Sequence, residues 1–222
     1  MIFLFLSSAD WLNLIINQRS NFMFWKFVLF FTAILGLYFG FKFLFSTFKT
    51  YEEPIYRMIF RQKPYEIREY EEMMVVASDQ TGSRKRGIRE GFKLLFAYIS
   101  GANAAKQKIS MTTPVMQIGT SDFWTVEFVL PRYLGDKDIP RPTHTSVKIK
   151  KIQKGRYAVI RFSGLIREKQ LNQKLEDLKL FIIQHDCKIK HSPIFAFYDP
   201  PWTPSFLKRN EIWIQVEDDC QK

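Results

Sequence analysis

The chain has 222 residues, 46% of them hydrophobic and 16% aromatic, and a formal net charge of +11. That length suits an apolar N-terminal segment plus one domain of ~170 residues, which can bury a core without covalent staples. Two cysteines, Cys187 and Cys220, exclude a disulfide framework; of one bridge or two thiols, free thiols are the expectation.

Residues 1–50 carry four Lys or Arg and one acid, leaving 29 bases against 21 acids over 51–222. A basic domain either favours anionic lipid headgroups and anionic ligands or presents a solvated basic surface. No helix-turn-helix or RNA-binding motif accompanies the charge, so nucleic acid is not an expected partner.

In chain order, Met1 to Ile16 is apolar but broken by Ser7, Ser8, Asp10 and Asn13. It is either an interfacial segment or lies ahead of a true start at Met23. An uncharged run then separates Lys26 from Lys42, and its apolar character extends from Phe22 to Phe45. About 20 such residues cross a hydrocarbon core, the two lysines can snorkel, and Trp25 and Tyr38 suit interfacial positions. The expectation is a transmembrane helix over about 22–45, with the bilayer as a partner through this helix and a single-pass membrane location. Positive charge after the span weakly favours a cytoplasmic domain.

The soluble part, 51–222, shows an internal duplication. Tyr65–Tyr70 running to Gly82 parallels Val147–Ile152 running to Gly164 at one constant offset. Each stretch alternates, becomes β-rich and ends at a glycine-marked turn. A helix follows in each half: Ile88, Phe92, Leu95, Phe96 and Ile99 form one apolar stripe, and Leu171, Leu175, Leu178 and Ile182 another. Both helices are expected to face a sheet. Strands at 109–118 and 123–130 close the first half, and strands at 194–198 and 211–216 the second. The order is β-α-β-β twice, with repeats at about 65–131 and 147–217 joined through the Pro-rich connector 139–143. This predicts an antiparallel α+β domain in which two halves pair their sheets into a twisted or barrel-like unit.

Several segments carry candidate chemistry. Arg84, Arg86 and Arg89, with Lys85, open the first helix, where cations oppose the macrodipole. A bound anion would resolve that conflict; a screened surface cluster is the alternative. Met111-Thr112-Thr113-Pro114-Val115-Met116 begins a strand with a proline that points to an edge or bulge. Met111 and Met116 are pocket wall or core filler. Asp199-Pro200-Pro201-Trp202-Thr203-Pro204 is a rigid loop in which Trp202 either stacks on a flat ligand or caps the barrel. His185-Asp186-Cys187 with His191 is expected to be a solvated helix end beside Lys188 and Lys190, not a metal site. The chain lacks Cys-x-x-Cys-His, His-Glu-x-x-His, a Walker loop, Gly-x-Gly-x-x-Gly and Gly-x-Ser-x-Gly, so catalysis is not expected.

Four ordered blocks resemble one family: Tyr65-Glu66-Ile67-Arg68-Glu69-Tyr70; Gly91 to Leu95 running on to Asn103; Met111 to Val115; and the Pro-Pro-Trp-Thr-Pro loop followed by Arg209-Asn210-Glu211-Ile212. Over roughly 52–217 the chain resembles the SOUL heme-binding family. The resemblance implies a duplicated β-α-β-β fold in a distorted antiparallel β-barrel carrying two helices. It also implies non-covalent binding of heme or a related tetrapyrrole, for heme buffering or transport. In members that ligate heme iron through histidine, the ligand falls at the position held here by Glu69, and a carboxylate is a poor substitute for imidazole. Pocket binding is therefore expected in place of iron ligation, with Arg84, Arg86, Arg89, Met111, Met116 and Trp202 as candidate contacts. Duplicated β-α-β-β domains also resemble bacterial effector-binding modules, so another small amphipathic ligand is the alternative. A lipid-surface adaptor is a third reading.

Overall fold

A computed structural model describes residues 25–40, 42 and 51–220. They fall into two units divided at Thr50/Tyr51.

In the first unit, helix α1 covers 25–40. At ~1.5 Å per residue this described stretch is roughly 24 Å long, against a ~30 Å hydrocarbon core. No helix among the described residues is long and apolar enough to cross a membrane, which corrects the expected transmembrane helix. The ends of the expected span, and the apolar patch at 1–18, lie outside the described residues. Phe27, Leu29, Phe30, Phe31, Leu37 and Phe39 of α1 are exposed.

The second unit holds nine strands: β1 (Tyr56–Gln62), β2 (Tyr65–Tyr70), β3 (Met73–Thr81), β4 (Val115–Thr120), β5 (Phe123–Val129), β6 (Val147–Ile152), β7 (Gly155–Phe162), β8 (Ile194–Phe197) and β9 (Asn210–Val216). Helix α2 (Arg84–Ile99) follows β3 and helix α3 (Glu168–Gln184) follows β7. The strands form one sheet in the order β1-β2-β7-β9-β8-β4-β5-β3-β6. Every pairing is antiparallel.

About the β8·β4 junction the order is palindromic by repeat: β9 mirrors β5, β7 mirrors β3, and β2 mirrors β6. Each repeat sends its first strand to the other, so β2 pairs with β7 and β6 with β3. Gly82 and Gly164, matched by the sequence offset, both take positive φ (102° and 116°), the left-handed region glycine enters without a Cβ penalty. Two details differ from expectation. Each half is β-β-α-β-β, because the stretch before each helix turns back on itself, and β1 adds a strand beyond the duplication. The sheet also remains open, with β1 and β6 as its end strands, so the architecture is a curled half-barrel, not a barrel.

Strand alternation divides the buried residues by face. Ile67, Ala158, Ile160, Ile212, Ile214 and Val216 meet α3 residues Leu171, Leu178, Phe181 and Ile182. Val76, Val126 and Phe128 meet Leu95, Tyr98 and Ile99 of α2. The opposite face gathers Tyr70, Val75, Met116, Val129, Tyr157, Val159, Ala196, Tyr198 and Trp213 from both halves. Neither α2 nor α3 contributes to it, so the sheet buries this face by curling on itself. All strands, α2, α3 and all three clusters lie within this unit, which gives it the core an independently folding domain needs. Cys187 and Cys220 are joined by a disulfide with Cα atoms 5.0 Å apart, which corrects the expectation of free thiols. The bond ties the tail after β9 to the segment leaving α3.

Candidate functional site

Two glycines set the position of α2. Gly87 and Gly91, one turn apart, face β5; a Cβ on Gly91 would lie 2.7 Å from Val126 Cγ2, and one on Gly87 would lie 3.2 Å from Trp124 Cβ. With hydrogen in place of Cβ the helix settles closely on the sheet. Only part of the predicted stripe then packs inward: Leu95 and Ile99 are buried, whereas Phe92 and Phe96 stay largely exposed. Their rings lie 6.0 Å apart, stacked at 10°.

Those two rings form one wall of a cavity of about 950 Å³. Ile88, Arg84, Lys85 and Arg89 continue the α2 wall; Met111, Thr113, Val115 and Gln117 form a second; Ile166 and Glu168 form a third. The loop from Phe197 to Trp202 closes the fourth side. Thr113-Pro114 is a cis peptide. Pro114 stands just ahead of β4, so β4 is a central strand flanked by β5 and β8 rather than an edge. The surface of this cavity is mainly apolar and aromatic, and its volume lies within the ~300–1,000 Å³ usual for small-molecule sites.

Arg84 supplies the main electrostatic feature. Its Nη2 donates to Gln117 Oε1 (3.0 Å), and its guanidinium lies 5.0 Å from the Trp124 ring centroid and 4.8 Å from that of Phe195. Burial lowers its pKa, and the Glu168 charge only partly restores it. It forms no ion pair among the described residues, unlike Arg68 and Arg209. A partly buried cation beside two aromatic faces, with Glu168 acting on it without forming an ion pair, is incompletely compensated and suited to an anionic ligand group.

Of the other sequence candidates, Arg89, Met111 and Trp202 also line the cavity. Arg86 is exposed and outside the lining. Met116 is fully buried on the opposite face of β4, where alternation takes it away from Val115 and Gln117. Gln117, Phe92 and Phe96 line the cavity without having been legible as cavity residues in the sequence. Helical spacing places the two rings in the core stripe, because it does not distinguish a stripe facing a sheet from one overhanging a cavity.

Glu69 lies outside this cavity. It is ion-paired with Arg57 (3.0 Å) and Lys154 (3.4 Å), and the Arg57 hydrogen bond holds its carboxyl below the usual range. The rest of its motif is structural. Arg68 donates twice to Glu211 (2.9 and 3.1 Å), once to Glu66 (2.6 Å) and once to the Tyr70 hydroxyl (2.8 Å). Glu211 also accepts from Tyr198 (2.8 Å), Trp213 Nε1 (2.7 Å) and Arg209 (2.9 Å). Burial would raise the Glu211 carboxyl, yet these donors, Arg68 above all, hold it below its ordinary value. The first and last sequence blocks are thus two halves of one buried ion network.

The histidine cluster is also structural: His185 packs on Phe181 with centroids 4.2 Å apart, and Cys187 is in the disulfide. Among the described residues no group of three or more His, Cys, Asp or Glu is placed to hold a metal.

Residues 51–215 match the SOUL heme-binding protein family. The chain belongs to that family. It is 28% identical over 167 residues to heme-binding protein 2 of Homo sapiens, covering 71% of this chain and 80% of the human one. The Mus musculus protein of the same name is 29% identical over 136 residues, covering 57% and 65%. Among solved structures, the C-terminal domain of EcmrR superposes with a TM-score of 0.56 at 12% identity, covering 73% of this chain and 98% of that domain. That last likeness is one of fold.

Proposed function

We propose that this SOUL-family protein binds heme or a related tetrapyrrole non-covalently in the cavity beside α2, and buffers or carries it. Arg84 is the observation that carries the reading: a partly buried guanidinium, hydrogen-bonded to Gln117 and in no ion pair among the described residues, at the edge of a mainly apolar cavity. A macrocycle would lie against Phe92, Phe96, Met111 and Trp202, while Arg84, Lys85 and Arg89 receive its carboxylates. Charge-assisted bonds from guanidinium to carboxylate are the strong kind. Bound heme would supply a flat apolar surface and two anionic arms; the protein's part is to desolvate the first and pair the second.

The cavity favours this class over an amphipathic cation, because Arg84, Lys85 and Arg89 outnumber the lining acids Glu168 and Asp199. The role proposed is binding without catalysis. A location at a membrane surface belongs to the same proposal, supported by the exposed apolar side chains of α1.

Hemin titration of residues 51–222 tests the reading. The expected result is a saturable Soret shift with quenching of tryptophan fluorescence. Absence of both at micromolar hemin would sink it.

A further inference from the structure

The mouth of the cavity is apolar and cationic at once. Phe96, Ile166 and Trp202 line it yet remain about half exposed or more. Gly164 N donates to Ser205 O (2.9 Å) and Asn210 Nδ2 donates to Gly164 O (3.1 Å). Those bonds set the 163–167 loop beside the 205–207 turn, so the apolar surface continues onto Leu165, Leu207 and Phe206, the last 74% exposed. A contiguous exposed apolar patch of this kind marks an interaction surface.

Cations surround it. Lys85 and Arg89 line the opening, Lys93 follows one helical turn on, Arg167 and Lys169 flank Glu168, and Lys208 Nζ donates to the Pro201 carbonyl (3.1 Å). Arg89 pairs with its neighbour Glu90; the rest have no ion-pair partner among the described residues. The lysines of β6 and its following turn differ: Lys148, Lys150, Lys151 and Lys154 are paired with Asp79, Glu127, Glu72 and Glu69.

We propose that this mouth is the face the domain lays on an anionic lipid bilayer. Phe206, Trp202 and Ile166 enter the interfacial layer, the cations sit among headgroups, and an apolar ligand passes between bilayer and cavity without crossing water. Aromatic rings with flanking Lys and Arg suit that layer, and each cation near the surface contributes ~1 kcal/mol. A second copy of the chain is a poor occupant, because a twofold interface would set the unpaired cations against themselves. The docking does not depend on which ligand the cavity holds.

The test uses residues 51–222 with vesicles of phosphatidylcholine, with and without phosphatidylserine, read by co-sedimentation and tryptophan fluorescence. Trp124 and Trp213 are buried, so Trp202, 69% exposed, is the reporter. Expected are binding that needs phosphatidylserine and weakens with salt, and a blue shift with quenching by brominated lipid that Trp202→Phe abolishes. The pair Lys93→Glu and Lys169→Glu should weaken binding about tenfold or more, Phe206→Ser should also weaken it, and Lys151→Glu, outside the cavity lining and paired with Glu72, should not. Absent or equal binding to both vesicle types overturns the proposal. Phosphatidylserine binding without Trp202 quenching overturns it too, by assigning another face, as does Phe206-dependent self-association that leaves vesicles unbound. Hemin titration in parallel keeps the outcomes separate, because vesicle docking and ligand binding can each fail alone.

Discussion

Glu211 and Arg68 illustrate why a motif can identify a family without marking its ligand site. Both are fully buried, and each charge survives there because the other, with Glu66, Arg209, Tyr70, Tyr198 and Trp213, satisfies it. Removing one partner leaves an unpaired buried charge, so Glu211→Leu should cost about 3–5 kcal/mol in denaturant unfolding. The pH dependence follows from the direction of the Glu211 shift. Its folded pKa is depressed, so its stabilisation is present above the ordinary carboxylate value of ~4.3 and is lost as pH falls through the lowered folded value. Midpoints measured from neutral to acid pH should therefore fall on the acid side, and Glu211→Gln should flatten that fall. Glu127, whose carboxyl burial raises, works in the opposite sense, so the two must be varied separately. Of the candidate site, Arg84, Arg89, Met111 and Trp202 were legible from residue type and motif. Met116 was not, because two methionines five residues apart on an irregular entry to a strand cannot be given faces until the strand's start is known.

At the scale of elements, α2 controls the site, since it carries both the Phe92–Phe96 wall and the Arg84 charge. Gly91→Ala should gain ~1 kcal/mol of helix propensity but meet Val126 at a distance that forces a shift, at about 1–3 kcal/mol. The expected outcome is a net loss of about 1 kcal/mol with weaker hemin binding, measured by thermal unfolding and titration. The disulfide closes a separation of 33 residues, so reduction or Cys220→Ser should cost about 2–4 kcal/mol, and non-reducing peptide mapping should recover Cys187 linked to Cys220. That pairing was invisible in the sequence, because it depends on where the tail after β9 lies beside the end of α3. Helices, turns and most strands were legible from periodicity and glycine. The β2 and β6 exchange was not, because nothing local tells a strand which half it will pair with.

For the molecule as a whole, the duplication explains the site. The palindromic strand order brings β4 and β8 together at the pseudo-twofold junction. The cavity forms on one side of that junction, where α2 from the first repeat meets the loop between β8 and β9 of the second. The α+β class, the repeat and the family were all present in the sequence; the open half-barrel was not, since closure depends on whether the end strands β1 and β6 meet. Hemin affinity of residues 51–222, compared with that of Arg84→Ala inside the cavity and Glu69→Ala outside it, decides whether the ligand lies beside α2. Binding in the α2 cavity predicts saturation, a loss of about tenfold or more for Arg84→Ala and an unchanged affinity for Glu69→Ala. Unchanged binding by Arg84→Ala, or a loss confined to Glu69→Ala, would contradict it.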